Sequence, residues 1–283
     1  MPEGDTIFRA ARTLNQALTG KPVVRFDSVL PALTRVHEDS PVTGRTVQSV
    51  TARGKHLLMQ FSGGLVLRTH MRMNGSWHIY RPGERWHRPR RDMRIVVATA
   101  DFEAVGFNIP VAEFLREREM SRHSQLRQLG PDLLAEEFDE EEAVARIQAH
   151  AATPIGDALL DQRLLAGIGN VYKSEVLFAC RVDPFAPAGS LDSETIRSLV
   201  RAARKLLRAN TSAALPPMTT YGGFRRTTGR DDPGQRLWVY GRGRKPCRRC
   251  GAPIALRKQG PHARLTYWCR QCQRKGAGKS VPL

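Results

Sequence analysis

Cys247-Arg248-Arg249-Cys250 and, eighteen residues on, Cys269-Arg270-Gln271-Cys272 bring two closely spaced cysteine pairs into one short segment. Two such pairs supply four thiolates, the ligand set that closes a tetrahedral Zn²⁺ site, and the apolar and turn residues between them suit a β-hairpin. A redox dithiol is the other reading of a Cys-x-x-Cys pair, but it needs only one. Four protein ligands leave an ion no open position, so one such zinc ion serves folding rather than chemistry. The fifth cysteine, Cys180, falls in an apolar helical pattern and reads as a small buried residue.

The cysteine segment lies in the most basic part of the chain. Residues 221–283 hold sixteen Lys+Arg and two acids, whereas residues 132–142 carry seven acids and no base, a solvated linker and helix start. Over all 283 residues, 45 Lys+Arg stand against 27 Asp+Glu, a net charge of +18. That excess calls for a polyanionic partner, nucleic acid before membrane. A hydrophobic content of 41% with 18 Pro and 24 Gly excludes wholesale disorder and collagen-like or coiled-coil designs. No apolar run approaches the ~20 residues of a membrane span, and the first residues lack a signal-peptide core, which places the protein in the cytoplasm.

Upstream of the cysteines the hydrophobic period changes once. Ile7, Ala10, Ala11, Leu14 and Leu18 predict an opening helix ended by Gly20 and Pro22. Residues 47–50, 56–61, 65–69, 76–80 and 93–99 then read as strands, a succession that suggests a sandwich or barrel. Beyond Pro131 the pattern is helical, over 140–148, 155–165, 171–180 and 193–208. Residues 215–236 have no clear period and read as a mobile loop, and Trp238-Val239-Tyr240 restarts β character.

Two further motifs carry open readings. Leu159-Leu160-Asp161-Gln162 leads through Gly167-Ile168-Gly169 to Asn170, where a helix begins: either a tight corner with an ordinary cap, or a site where the Asn170 side chain caps and backbone N–H groups meet a phosphate. At the start, Met1-Pro2-Glu3-Gly4-Asp5-Thr6 is an ordinary first helical turn unless Met1 is removed. Removal exposes a secondary amine on Pro2 that can form an iminium ion with a sugar aldehyde carbon, and a reference α-amino pKa of about 8 leaves free base at neutral pH. Glu3 stands beside it as a proton shuttle.

Pro-Glu-Gly at the start, Gly54-Lys55-His56 after a strand, the Leu-Asp-Gln…Gly-Ile-Gly-Asn corner and the four-cysteine finger, in that order, resemble the formamidopyrimidine-DNA glycosylase/endonuclease VIII family of DNA repair enzymes. Thr6, where the formamidopyrimidine branch usually has Glu, looks like the endonuclease VIII side. The resemblance implies a multidomain α+β fold: an N-terminal β-sandwich with a leading helix over residues 1–130, a helical helix-two-turn-helix DNA-binding domain with a mobile loop over 131–236, and a β-hairpin zinc finger with a basic tail over 237–283. It also implies the roles. Pro2 matches the nucleophile that attacks C1′, Glu3 the general acid/base, and Lys55 the phosphate-binding proton donor for β-elimination. Arg264 matches the finger arginine tied to phosphate binding and δ-elimination, and Asn170 the helix-turn asparagine that binds phosphate. Without the family, Lys55 reads as a strand-edge lysine and Arg264 as a solvated hairpin residue.

Within His70-Met71-Arg72-Met73-Asn74-Gly75, Met73 matches the wedge that fills the gap left by an extruded base and Arg72 a probe of the opposite base, although either methionine also reads as core. Gln128 replaces an arginine usual in the family, so its phosphate contact passes to the neighbouring Arg127. Phe107 is the candidate for a second wedge, and residues 219–229 for a loop that closes over the base. The implied function is a bifunctional glycosylase/AP lyase acting as a monomer, at the nucleoid, on double-stranded DNA with oxidised bases, mainly pyrimidines, or abasic sites. The alternatives are a formamidopyrimidine/8-oxoguanine enzyme of the same family and a non-catalytic zinc-finger DNA binder.

Overall fold

The opening apolar stripe forms a helix, α1 (Gly4–Leu18), and buries Ile7, Ala10, Ala11, Leu14 and Leu18 along one face. Gly20, at φ +82, takes the chain out of it in a conformation that favours glycine. The computed structural model describes residues 2–211 and 225–274, and its chain divides into two compact units, one running to Arg127 and the other beginning at Gln128.

In the first unit β1 (Arg25–Ser28) and α2 (Pro31–Asp39) precede β2 (Val47–Arg53), β3 (His56–Phe61), β4 (Leu65–His70) and β5 (Ser76–Tyr80). Then come β6 (Met93–Ala98), β7 (Glu103–Phe107), β8 (Val111–Arg116) and the short helices α3 (Glu117–Met120) and α4 (Ser124–Arg127). The strands form two antiparallel sheets, in the orders β1-β6-β7-β5 and β2-β3-β4-β8. Period-two alternation sends Leu57, Met59, Leu65 and Leu67 from one sheet, and Trp77, Ile79, Ile95 and Val97 from the other, into a single core that also takes the buried face of α1. This is the expected β-sandwich with its leading helix.

The second unit contains α5 (Glu140–Gln148), α6 (Ile155–Ala158), α7 (Asn170–Ala179) and α8 (Ser193–Ala209), followed by a hairpin of β9 (Ile254–Gln259) and β10 (Arg264–Cys269). Asp139 caps α5 by accepting the Glu142 N–H at 2.8 Å, and the acids behind it pair with α8, Arg201 to Glu140 at 2.8 Å and Arg197 to Glu141 at 2.7 Å. The acidic run is therefore a helix start braced by arginines.

Three local readings change. The helix expected over 155–165 stops at Ala158, because Asp161 and Gln162 turn their side chains onto nearby backbone groups and break the ladder. Residues 238–240 form no strand; their N–H groups go elsewhere, as described below. The closing loop falls outside the described residues over 219–224, as does the basic tail over 275–283. No helix among the described residues is long and apolar enough to cross a membrane.

Candidate active site and nucleic-acid interface

Pro2 and Glu3 are both buried at the N-terminal end of α1. Glu3 is the N-cap, extended at φ −123, and its carbonyl accepts the N–H of Thr6 at 2.9 Å and of Ile7 at 3.1 Å. The turn behind it is polar and enclosed, with Thr6 donating to Asp5 at 3.3 Å and Arg9 facing Asp5 at 3.9 Å. A carboxylate and an amine held here meet the positive end of the helix dipole, which favours the ionised acid and the neutral amine.

Two bonds fix where α1 points. Asn15 Oδ1 accepts the Val50 N–H at 2.7 Å, and the Gly20 N–H bonds to the Val47 carbonyl at 2.9 Å, so going back along α1 runs forward along β2, against which it packs. From Asn15 to Glu3 the helix rises about 18 Å. From Val50 to the β2–β3 turn the strand covers about 13 Å. Pro2 and Glu3 therefore lie toward the end of the sheet that carries this turn, and Lys55 stands at its tip.

That turn has two residues, Gly54 and Lys55, between the paired Arg53 and His56. Gly54 takes φ +58, as tight hairpin turns demand of their first residue. Lys55 is half-buried at this corner rather than along a strand edge. His56 and His70, opposite one another on β3 and β4, meet edge to face at 4.9 Å. Burial and the cations around them hold both neutral: His56 falls to about 2, with Arg68 its largest charged influence, and His70 to about 4, with Arg72 and Lys55 contributing.

The β4–β5 turn at the same end separates the two methionines. Met71 is 1% exposed and belongs to the core, whereas Met73 is 46% exposed at the tip, beside Arg72 at φ +49. Gly75 closes the turn: its N–H bonds to the Met71 carbonyl at 2.9 Å, and a Cβ there would lie 2.6 Å from that oxygen. Phe107 is fully buried against Tyr80 and Trp86, and β7 joins β8 through Asn108-Ile109-Pro110 with Ile109 also buried. Phe107 is therefore packed as core and is not placed as a second wedge. Arg127, last residue of α4, is exposed.

In the second unit the corner before α7 is held by one side chain. Gln162 donates to the Leu160 and Ile168 carbonyls at 2.9 and 3.0 Å and accepts the Gly167 N–H at 3.1 Å, while Gly167 sits at φ +101. The N-cap is Gly169, so Asn170 is already helical and does not cap. Its Nδ2 reaches across to the Leu265 carbonyl at 2.8 Å, one residue from Arg264, and the amide keeps a second hydrogen to offer. Arg264 follows the tight turn that Gly260 at φ +69 and Ala263 at φ +47 produce. The structure thus brings Asn170 and the Arg264 strand together.

Two charged residues of α7, both fully buried, carry no sequence motif. Lys173 donates to Thr266 at 2.6 Å, which donates to Gln259 at 2.7 Å. Glu175 accepts the N–H groups of Trp238, Val239 and Tyr240, each at 2.8 Å, and the Thr227 hydroxyl. Burial pushes the Glu175 carboxyl up, against those four donors. A lysine and a glutamate two positions apart in an otherwise apolar helix were the available signal for a helix clamped on two sides.

The four cysteine sulfurs lie within 4.8 Å of one another, with Cys247 to Cys272 at 4.0 Å and Cys250 to Cys269 at 3.5 Å. A tetrahedron with ~2.3 Å metal–sulfur bonds has edges of about 3.8 Å, and a disulfide needs about 2.05 Å. The cluster can therefore hold one metal ion and is not two disulfides. The Ala252 N–H draws the Cys250 thiol down to about 7, toward the ligating thiolate. Cys180 is half-buried, and burial raises its thiol to about 11, which leaves it a poor nucleophile.

Two family models divide the chain as this structure does: the formamidopyrimidine-DNA glycosylase N-terminal domain matches residues 1–110, and the formamidopyrimidine-DNA glycosylase H2TH domain matches residues 129–214. The probable endonuclease 8 2 of Streptomyces coelicolor is 45% identical over 276 residues, 96% of this chain and 94% of the relative. This chain belongs to the formamidopyrimidine-DNA glycosylase/endonuclease VIII family. On the endonuclease VIII side, the DNA-(apurinic or apyrimidinic site) lyase Nei2 of Mycolicibacterium smegmatis is also 39% identical across 96% of the chain and 99% of its own length. The family fold is visible in the Lactococcus lactis Fpg solved with DNA containing an abasic site, at a TM-score of 0.80, 23% identity, and coverage of 96% of this chain and 100% of that one.

Proposed function

We propose that this protein is a bifunctional DNA glycosylase/AP lyase of base excision repair that removes oxidised bases, mainly pyrimidines, from double-stranded DNA, one copy per lesion. The observation that carries the reading is full-length identity of 45% and 39% to proteins named for endonuclease 8 and AP lyase activity, in a chain whose Pro2 and Glu3 are enclosed at the start of α1.

After loss of Met1, the Pro2 nitrogen attacks C1′ as the C1′–base bond breaks, the base leaving with the bonding pair and taking a proton. Loss of the ammonium proton and protonation of the ring oxygen by Glu3 open the sugar and leave a C1′=N⁺ iminium. Removal of a C2′ proton sends electrons into the iminium, and the C3′–O bond breaks with the 3′-phosphate leaving. A second elimination breaks the C5′–O bond. Water then hydrolyses the iminium and returns the amine. Lys55 holds a phosphate and donates a proton in the first elimination, and Arg264 does the corresponding work for the second.

The chemistry requires the nucleotide outside the helix, at a cost of about a few kcal/mol that a damaged base lowers. Met73 enters the vacated stack with Arg72 facing the opposite base, while Lys55, Asn170, Arg264 and Arg127 grip phosphates. Cys247, Cys250, Cys269 and Cys272 would hold one structural Zn²⁺, which when bound fixes the hairpin carrying Arg264. A panel of duplexes at fixed salt tests the substrate: faster release of thymine glycol than of 8-oxoguanine is expected, and preference for the purine places the protein with the alternative formamidopyrimidine activity.

A further inference from the structure

The loop over residues 81–92, between β5 and β6, lies on the outer face of the β1-β6-β7-β5 sheet, where Trp86 packs with Tyr80, Val96, Ala98, Val105 and Phe107. Under it is a cavity of about 650 Å³ lined by Arg25, Arg85, Trp86, Arg88, Arg90 and Glu103, among others. The two carboxylates at its wall are already engaged. Glu103 takes Arg25 at 3.0 Å and the Trp86 indole N–H at 3.2 Å, and Glu84 takes the Arg81 N–H at 2.8 Å. Arg90 lies over the Trp86 ring at 5.3 Å. Arg85 and Arg88 have no hydrogen-bond or carboxylate partner among the described residues, and Arg88 is half-buried. Withdrawing a guanidinium from water without a counter-charge costs free energy that an incoming anion returns.

The cavity is not the lesion grip. Glu103 pairs with Tyr80 at one end of the sheet, whereas Phe107 pairs with Ser76 at the other, next to the Met71–Gly75 turn. Four residues of strand separate those ends by about 13 Å.

We propose that this cavity binds a backbone phosphate of nucleic acid at a point remote from the lesion, with Arg85 and Arg88 as the clamp. Guanidinium forks match phosphate oxygens in pairs, and the Trp86–Arg90 pair offers a flat face for a neighbouring base. The phosphate belongs either to the flank of the bound duplex or to a second strand. The inference rests on the protein being a DNA-binding enzyme, and borohydride trapping on a short abasic duplex reports that reading separately.

The test uses the full-length protein and its R85A/R88A variant, with abasic-analogue duplexes of two lengths, one confined to the lesion segment and one extended well beyond it on both sides. For the flank, wild type binds the long duplex more tightly than the short, the variant loses that advantage, and its salt slope on the long duplex falls by about 2, one unit per lost phosphate contact. For a second strand, a labelled single-stranded oligonucleotide binds wild type already saturated with the short duplex and does not bind the variant. Equal loss on both duplexes, or a variant that matches wild type on both duplexes and on the oligonucleotide, overturns the proposal.

Discussion

Asn170 Nδ2 donates to the Leu265 carbonyl at 2.8 Å, so the first residue of α7 and the strand that begins with Arg264 are joined by one hydrogen bond. In Asn170→Asp a carboxylate faces that carbonyl and any phosphate beyond it; in Asn170→Ala both donors are gone. Affinity for an abasic-analogue duplex should fall by about tenfold in the alanine variant, the scale of one hydrogen bond to a charged group, and further in the aspartate. Wild-type affinity in both would remove Asn170 from the interface.

Met71 and Met73 should respond oppositely. Met71→Ala hollows the core and is expected to cost about 2–5 kcal/mol in urea unfolding, whereas Met73→Ala should lie within about 0.5 kcal/mol of wild type. Met73→Ala should instead slow single-turnover excision by about tenfold or more, since helix distortion of about a few kcal/mol loses its wedge. Unchanged excision would return Met73 to an ordinary exposed residue.

Metal content tests the cysteine cluster. Purified protein should carry one zinc per chain, and Cys250→Ser or exhaustive chelation should remove it together with DNA affinity, by releasing the hairpin that bears Arg264. A metal-free protein that still folds and binds DNA would contradict the structural role.

Acid should destabilise the first unit in a defined window. His78 is held down to about 4 by burial and by Arg88 and His87, and His70 lies near the same value. A folded pKa below the unfolded value of about 6.5 means that unfolded chains take up protons the folded protein refuses, so stability is full above about pH 6.5 and falls toward pH 4. Each such histidine removes up to about 2 kcal/mol at pH 5. Urea midpoints at pH 7 and pH 5 should show this drop, and a smaller one in His78→Gln; identical drops would clear His78 of any part in it.

Much of the sandwich could be read from the sequence because its strands alternate faces. β3 and β5 fall at the bounds their residues give, whereas β1 and β8, half-exposed at sheet edges, have no comparable apolar signal. Residues 238–240 look like a strand because they are apolar and aromatic, but their N–H groups go to Glu175, more than sixty positions away, which no local pattern contains. The same holds for Lys173 on Thr266 and for Arg68, 2% exposed and paired with Glu113 on the neighbouring strand. Pro2, Glu3 and Lys55 stood out only in combination. Their common placement at one end of the sheet depends on the direction of α1, set by Asn15 on Val50.

The central claim is that the Pro2 amine forms the covalent intermediate. Borohydride reduction during reaction with an abasic-site duplex measures it directly. Wild type should give a protein–DNA adduct, while Pro2→Gly, or protein that retains Met1, should give none even where DNA binding is preserved. An adduct of undiminished yield in both would contradict the account and require another nucleophile.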